Sequence, residues 1–397
     1  MTKVHNDGSW FHRERRRRVA LCYDLCSPFT VGGAETHYRG LGAELASRGH
    51  RVTYLTSRYW SGSARKSDGQ VSLFAVTRGN GPETGNRSIL AALRYAWGLM
   101  GHLLRHGSEY DVVEVAALPP TSAIAAWVGL LPHRQVLLIT DWHEVWRLAT
   151  WRGQFGLLGS LGWLSELAAR RVGVPVSFSK LHANRLPHGA QLVPEFISVK
   201  PRQDGLSGGN TGSPQGSVLL CVGRLVEDKR FALLPQTLAA LRRIDPAGDW
   251  SGIIVGSGPQ RELIQADAER LAVDGHLSFE SNVSEQRLTE LFASSTVLFH
   301  PSRREGFGIV VLEASAHGLP VVLVGGPDNA AVELVSSGIN GFVSQSDVPD
   351  ELALAVVKLA QNGDSKASVR EWWEANRARF TPVGAADAVE RAWSVTN

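Results

Sequence analysis

Short apolar segments alternate with longer segments of helical periodicity along most of the chain. In the first half this pattern predicts strands at 19–23, 51–56, 71–76, 112–115, 135–140 and 174–178. The helices between them lie at 33–48, 87–106, 122–131 and 157–171. Strands that alternate with helices form a parallel sheet covered on both faces. The first half therefore predicts a doubly wound α/β domain.

The same alternation restarts after a polar segment at 199–217, which is rich in Gly, Ser, Pro and Gln and is typical of a linker. The strands predicted after it lie at 218–222, 252–255, 277–279, 296–300 and 321–324. The helices lie at 231–244, 259–273, 284–294 and 309–317, and a last helix follows Pro382 and runs to about Trp393. We therefore predict two Rossmann-like domains that face each other across a cleft, with ligands at the carboxyl ends of both sheets.

Composition supports this division of the chain. The 397 residues suit two domains, and 43% hydrophobic with 20% charged residues indicates a globular protein. Cys22, Cys26 and Cys221 are too few for a disulfide framework, so we expect a cytoplasmic protein. The apolar stretch at 115–132 has the length of a membrane span, but it contains Pro119 and Pro120, so we predict a strand, a turn and a buried helix there.

Basic residues are concentrated in the first 18 residues, which carry a net charge of +4 in a chain of net charge +3. The rest of the chain is close to neutral, which disfavours a nucleic-acid-binding face. Two interpretations of the arm stay open. It is either a solvated terminus or a weak contact with anionic lipid at the inner membrane face.

The segment EGFGIVVLEA, from Glu305 to Ala314, combines two carboxylates with a glycine-rich turn from a strand into a helix. The glycines allow close backbone approach, and the amides that open the helix favour an anion such as phosphate. Glu313, among apolar neighbours, needs a partner, which is either a ribose or an arginine. The segment therefore predicts donor contacts at Gly306, Phe307, Gly308, Ile309 and Val310.

Three further segments lie where predicted strands end. CVGRLVEDKR places Arg224 and Lys229 at the mouth of the second sheet, where they can bind phosphates. Gly32 and Gly33 precede the first helix and predict a second anion site or an ordinary tight turn. ITDWHEVW carries His143, which can bind a sugar hydroxyl or is a core histidine.

These residues together resemble the retaining glycosyltransferases of family 4, which have the GT-B fold. The run HPSRREGFGIVVLEASAHGLPVV carries the resemblance most specifically, and the similarity extends from Val19 to about Trp393. It implies that Glu305 contacts the transferred sugar, that Glu313 holds the ribose and that Arg224 and Lys229 bind the diphosphate. It places His143 near the sugar, and Gly256 and Val283 near the donor. Arg230 stands where the family usually has glycine, so we expect a changed loop conformation.

The resemblance also implies the division of labour. Residues 19–200 would bind the acceptor, residues 218–380 a nucleoside diphosphate sugar, and residues 381–397 would cross back to the first domain, with 201–217 as linker. Trp142, Trp146 and Trp151 are either an acceptor platform or core packing. No Asp-x-Asp sequence occurs, so we expect no metal and no other cofactor.

The resemblance implies the activity of a retaining hexosyltransferase, in which the departing phosphate accepts the proton of the attacking hydroxyl. The sugar, base and acceptor, whether glycan, glycolipid or small molecule, stay open. Two alternatives also remain: a sugar-nucleotide epimerase of the same fold, and a non-catalytic sugar-nucleotide-binding protein.

Overall fold

The computed structural model describes residues 16–30, 32–79, 88–197, 216–363 and 365–394. Most of the basic arm and of the predicted linker lies outside these residues. By their contacts the described residues form two compact units. The first unit holds residues up to Val115 together with Ile124–Ile139, and the second holds Ala116–Ala123 together with everything from Thr140 onward.

The strands and helices follow the predicted alternation. The strands are β1 (Arg18–Cys22), β2 (Arg51–Arg58), β3 (Arg65–Asp68), β4 (Val71–Arg78), β5 (Val112–Ala116), β6 (Leu137–Trp142), β7 (Val174–Ser177), β8 (Gln191–Leu192), β9 (Val218–Val222), β10 (Ser251–Val255), β11 (Leu277–Glu280), β12 (Val297–His300), β13 (Arg304–Glu305), β14 (Val321–Val324), β15 (Asp328–Asn329) and β16 (Gly341–Ser344).

The helices are α1 (Gly33–Ser47), α2 (Ile89–His106), α3 (Pro120–Gly129), α4 (Leu148–Phe155), α5 (Gly159–Ala169), α6 (Lys180–Ala183), α7 (Leu233–Ile244), α8 (Arg261–Arg270), α9 (Glu285–Ser294), α10 (Ile309–Ala316), α11 (Pro349–Gln361), α12 (Ser365–Asn376) and α13 (Pro382–Ser394).

In the first unit the strand order is β3-β4-β2-β1-β5-β6, with parallel pairs at β1–β2, β1–β5 and β2–β4. β3 is the exception, because it pairs with β4 in the antiparallel direction. Its sequence RKSD has no apolar alternation, which is why the pattern did not predict it. An edge strand with one polar, exposed face needs no hydrophobic residues.

The second unit contains the end of β6, followed by β7 and β8, and a separate sheet in the order β11-β10-β9-β12-β14-β16. All neighbours in that separate sheet are parallel. α7 and α11 contribute Leu234, Leu238 and Val356 to one core with Leu219 of β9 and Phe299 of β12. The order reverses between β9 and β12, and ligands bind at the carboxyl ends of strands at such a point.

Some predicted bounds were wrong. The helix expected at 157–171 is α5, which begins at Gly159 and ends at Ala169. The sequence pattern missed α4 before it, which ends at Phe155 and is followed by Gly156, a residue with a positive φ of 59°. The helix expected at 122–131 begins at Pro120, a favourable first helical residue. In the described part of the chain, no helix is both long and apolar enough to cross a membrane.

Candidate functional site

Three side chains meet where β9 and β12 end, and we call them the Glu305 cluster: Lys229, His300 and Glu305. The Lys229 ammonium forms an ion pair with Oε1 of Glu305. Nε2 of His300 lies 2.7 Å from the same oxygen. His300 is fully buried, whereas 20% of the Lys229 side chain is exposed. The Glu305 carboxylate at the end of β13 is thus held by Lys229 from the loop after β9 and by His300 at the end of β12.

The charges of the cluster follow from these contacts. Burial alone would raise the pKa of Glu305, but the Lys229 ammonium and His300 hold that pKa well below its usual range. Burial lowers the pKa of His300, although Glu305 opposes this effect. His300 is therefore neutral near neutral pH, and its Nε2 must carry the hydrogen in order to donate to Glu305. Sequence reasoning missed His300, because a histidine inside an apolar strand resembles a core residue.

Arg224 differs from Lys229, although both follow β9. Its side chain is exposed and has no hydrogen bond or ion pair to any residue that the structure describes. Of the two predicted cations, Lys229 is paired with Glu305, whereas Arg224 is available to a ligand. The predicted roles of both residues remain predictions.

The loops around β9 approach each other closely. A Cβ atom on Gly256 would lie 1.9 Å from the carbonyl oxygen of Gly223, so glycine is required there for packing alone. Arg230 has φ of 50° and ψ of 33°, the left-handed conformation that glycine favours. Its guanidinium donates to the carbonyl oxygen of Pro301 at 2.7 Å, which helps to hold this conformation. The loop thus accommodates arginine in a conformation that glycine favours, and the expected change from the family's loop conformation stays a prediction.

The turn before α10 has the predicted geometry. Gly308 precedes the helix with φ of 98°, and a Cβ there would lie 2.5 Å from Cβ of Ala331. Val311 N–H donates to the carbonyl oxygen of Gly308, but no acceptor among the described residues is recorded for the amides of Ile309 and Val310. These amides are available to an anion. The Phe307 side chain is buried and packs edge-on against Phe380, so only its backbone is available at the turn.

Glu313 lies on α10 and has no recorded hydrogen bond or ion pair to its carboxylate among the described residues. Burial raises its pKa to about 6. No arginine among the described residues therefore pairs with Glu313, although an arginine was one of the two partners that the sequence left open. The carboxylate is available to a ligand that brings hydroxyl donors.

His143 lies beside the glycine turn. A Cβ on Gly306 would lie 2.6 Å from the carbonyl oxygen of His143, so the two backbones are in close contact. The imidazole stacks on Phe178 with 4.1 Å between ring centroids, and its Nδ1 lies 3.2 Å from Oε1 of Glu195. Neither Glu195 nor Phe178 was predicted. Both are distant from His143 in sequence, and only the acidic Glu195 within an apolar stretch could have indicated a role.

A second charged group lies next to the turn. The guanidinium of Arg304 stands 4.4 Å from the ring centroid of Trp146 and 2.6 Å from Oδ2 of Asp228. Glu144 accepts a hydrogen bond from Trp146 Nε1, and burial raises the pKa of Glu144.

Among the described residues, no group of three or more His, Cys, Asp or Glu is placed to hold a metal ion.

Two of the three tryptophans cannot form an acceptor platform. Trp142 is fully buried, with Nε1 donating to Thr140 Oγ1 at 3.1 Å. Trp151 is 7% exposed, and its Nε1 donates to Oε2 of Glu166 at 2.9 Å. Both are therefore core residues. Trp146 is partly exposed, but Arg304 covers one face of its ring.

The remaining predicted residues lie in different units, with Gly32 and Gly33 in the first and Val283 in the second. In the first unit, Gly32 precedes α1 with extended backbone, and Gly33 begins the helix. The buried Glu35 carboxylate lies against Gly32, 2.5 Å from where a Cβ would stand. An anion bound there would have to share the helix end with that carboxylate. In the second unit, Val283 precedes Ser284, whose side chain caps α9 by accepting from Arg287 N.

Comparison with known proteins covers both halves of the chain. Residues 32–186 match the glycosyl transferase 4-like domain, and residues 216–362 match the glycosyl transferases group 1 model. A GDP-mannose-dependent alpha-(1-6)-phosphatidylinositol monomannoside mannosyltransferase from Mycolicibacterium smegmatis is 34% identical over 183 residues, which are 42% of this chain and 47% of that protein. The aligned region thus spans about half the length of this curated relative.

Solved structures resemble almost the entire chain. Sucrose-phosphate synthase from Thermosynechococcus elongatus has a TM-score of 0.76 at 18% identity and covers 96% of this chain and 99% of its own. HepE from Anabaena, in complex with UDP-glucose, has a TM-score of 0.70 at 18% identity and covers 96% of this chain and 100% of its own. At these identities the likeness shows the fold, which is the expected GT-B fold.

Proposed function

The chain belongs to the family 4-type glycosyltransferases of the GT-B fold, and on that premise we propose that it transfers a sugar from a nucleoside diphosphate sugar to an acceptor hydroxyl. The transfer retains the anomeric configuration and needs no metal ion. The observation that carries the proposal is the Glu305 cluster beside the glycine turn of α10. A held carboxylate and available helix amides suit a ligand that carries both hydroxyls and phosphates.

The donor would extend from Glu313 to Glu305. Ribose hydroxyls supply the hydrogen bonds that the partly buried Glu313 carboxylate lacks. The diphosphate lies at the amides of Ile309 and Val310, with Arg224 as its bidentate partner. The sugar then reaches Glu305, whose Oε1 is occupied by Lys229 and His300, so that Oε2 is the oxygen that accepts from a sugar hydroxyl.

Catalysis would come from positive groups placed before the bond breaks. When the anomeric bond cleaves, negative charge grows on the leaving phosphate, and fixed donors stabilise that charge most in the transition state. Lys229 has three N–H donors, so it can keep its pair with Glu305 and still contact a phosphate oxygen. Arg224 supplies the second cation. With these two residues in place, the proposed mechanism does not require a divalent ion.

Retention would follow from attack on the same face of the sugar, with the departing phosphate accepting the proton of the acceptor hydroxyl. The contact between His143 and Gly306 supports a place for the imidazole near the transferred sugar. Glu195 and Phe178 hold that ring in one orientation. His143 would then orient a sugar hydroxyl during the reaction.

The donor class can be tested by thermal shift with GDP-mannose, UDP-glucose, an ADP-sugar and a dTDP-sugar. A ligand that binds only the folded chain raises its stability by mass action. Because the relative above is named for GDP-mannose and HepE was solved with UDP-glucose, these two donors come first. Product analysis with the stabilising donor separates transfer from epimerisation, and no shift with any donor would contradict the proposal.

The metal-independent mechanism has its own test in the Arg224→Ala variant. We expect its turnover to fall about 100-fold to 1,000-fold, the usual scale for one lost donor to a developing oxyanion. Arg105→Ala, which removes an exposed arginine of α2, should be as active as the native chain. Activity should persist in EDTA. Loss in EDTA with recovery in Mg²⁺, together with a normal rate in Arg224→Ala, would overturn this mechanism.

A further inference from the structure

The distribution of polar and apolar residues on α5 is reversed. Its single charged residue, Glu166, is fully buried, whereas Leu161 and Leu164 are 64% and 53% exposed. A helix on the surface of a globular protein normally directs leucines inward and charges outward. The outward face of α5 is therefore suited to an apolar environment and not to water.

The inward face of α5 is held by polar contacts instead. Glu166 accepts from Trp151 Nε1 at 2.9 Å and from Trp146 N–H at 3.2 Å, and it pairs with Arg170. These bonds offset the cost of burying the carboxylate. They also fix α5 against α4, so that the leucines cannot turn inward.

The exposed apolar surface continues into the turn between α4 and α5. We call it the leucine surface, and its members all follow one another within ten residues: Phe155, Leu157, Leu158, Leu161 and Leu164. Leu157 is 88% exposed and Leu158 65%, and both stand in the turn where α4 ends and α5 has not begun. An exposed apolar cluster of this kind marks an interaction site.

Within the segment that carries the leucine surface, the exposed charges have one sign. Between Leu148 and Arg171 the only acidic residue is the buried Glu166. The exposed charged side chains of this segment are Arg152 and Arg171. Leucines bordered by arginines, with no exposed carboxylate in the same segment, complement a bilayer with anionic headgroups.

We propose that the leucine surface docks on an anionic lipid bilayer, with Leu157 and Leu158 entering the boundary between headgroups and acyl chains. The same helix pair reaches the candidate site, since Gln154 Nε2 of α4 lies 3.3 Å from Oδ2 of Asp228, in the loop that carries Arg224 and Lys229. If the proposed transferase function holds, its acceptor is an amphiphile anchored in that bilayer.

Vesicle sedimentation of the full chain tests the docking without donor or acceptor. The vesicles contain either phosphatidylcholine alone or equal parts phosphatidylcholine and phosphatidylglycerol. We expect binding to the anionic vesicles, and we expect Leu157→Ser, Leu158→Ser and Leu161→Ser together to weaken it at least about tenfold. The matched control changes three exposed leucines of α2, namely Leu90→Ser, Leu93→Ser and Leu104→Ser, and should bind as the native chain does.

A site-specific probe excludes an indirect effect of the substitutions. The three native cysteines are buried, so an environment-sensitive dye on Leu157→Cys labels one position. We expect its emission to shift to the blue with anionic vesicles, while the same dye on Glu262→Cys, an exposed position of α8, should not respond. Both variants should keep the native melting temperature.

Several outcomes would overturn the docking proposal. The proposal is wrong if the native chain does not bind anionic vesicles, or if the triple variant binds them as well as the native chain does. It is also wrong if the α2 control loses binding and the triple variant keeps it. Another contradicting result is a native dimer, measured by light scattering, that the triple variant dissociates without any loss of vesicle binding. Failure of the proposed function looks different, because donor thermal shifts would then be absent while vesicle binding remained.

Discussion

The two carboxylates at the ends of the segment EGFGIVVLEA have opposite environments. Glu305 receives Lys229 and His300, and its pKa lies well below the usual range. Glu313, eight residues later on α10, has no recorded partner for its carboxylate among the described residues, and burial raises its pKa to about 6. The same functional group is thus fully stabilised as an anion at one end and poorly stabilised at the other.

This difference indicates two ways in which a protein prepares a binding site. Glu305 is oriented before any ligand arrives, which suits a group that must hold its geometry during a reaction. Glu313 is left for the ligand to stabilise, so part of the binding free energy comes from the hydroxyls that the ligand brings. Three experiments test this comparison, in order of decreasing effect.

The largest effect is expected from Lys229→Met, which leaves the Glu305 carboxylate buried without its cation. We expect a loss of about 3 kcal/mol in the free energy of unfolding, near the lower end for a broken buried ion pair because Lys229 is partly exposed. Turnover should fall about 100-fold or more. Urea unfolding and steady-state kinetics measure the two effects.

Two further variants test whether the loss of stability in Lys229→Met comes from the unpaired Glu305 charge. Adding Glu305→Gln to Lys229→Met should restore most of the stability but none of the activity, because the uncompensated charge is gone. Lys358→Met, at an exposed position of α11, should change the stability by less than about 0.5 kcal/mol. A carboxyl group whose pKa is lowered on folding stabilises the protein at pH values above its unfolded pKa, and this stabilisation is lost as the pH falls. The difference in unfolding free energy between the native chain and Lys229→Met should therefore become smaller in acid. Equal stability of both lysine variants would contradict the buried pair.

An intermediate effect is expected from Glu313→Ala on donor binding. The variant should lose about 1.5 to 3 kcal/mol of donor affinity, the range for hydrogen bonds to a charged group, with a smaller change in turnover than Lys229→Met causes. In the native chain, donor affinity should weaken as the pH falls below about 6, where the free carboxyl becomes protonated. Calorimetric titration across pH measures both, and Glu374→Ala on α12 is the matched control. Unchanged affinity would remove the ribose assignment.

The smallest effect is a gain in stability from Glu313→Gln without ligand. Burial raises the pKa of Glu313 from 4.5 to about 6, so the folded chain disfavours the ionised form. Stability from the protonated group is complete below the unfolded pKa and is lost as the pH rises through about 6. Near neutral pH the variant should therefore be more stable by roughly 1 to 2 kcal/mol. Urea unfolding should show this gain disappearing in acid, and a constant gain would exclude Glu313 titration as its source.

Sequence reasoning predicted the fold well because each buried strand carries its own apolar signal. β9 at Val218–Val222 and β14 at Val321–Val324 have the predicted bounds. The elements that the pattern missed carry little apolar periodicity in their own sequence. β3 is polar because it is an edge strand. α4 was missed because it is only eight residues long, LATWRGQF, and has little amphipathic pattern.

The candidate site was predicted only where chemistry is written in short segments. The segment around Glu305 and Glu313 and the cations Arg224 and Lys229 could be identified from residue type and spacing. That Lys229 pairs with Glu305, 76 residues away, could not. Trp142 illustrates the opposite error, because an aromatic side chain near a candidate site can equally be core.

The sequence by itself determined the alternation of strands and helices, the glycine turn before α10 and the residue types available for a sugar nucleotide, since these depend on neighbours along the chain. The tertiary structure alone decided which carboxylate is neutralised, which cation is available, and that α5 buries Glu166 while exposing Leu161 and Leu164. The physical reason is that burial and pairing arise from distances between segments that are remote in sequence, and burial and pairing govern the pKa of each group and the exposure of each side chain.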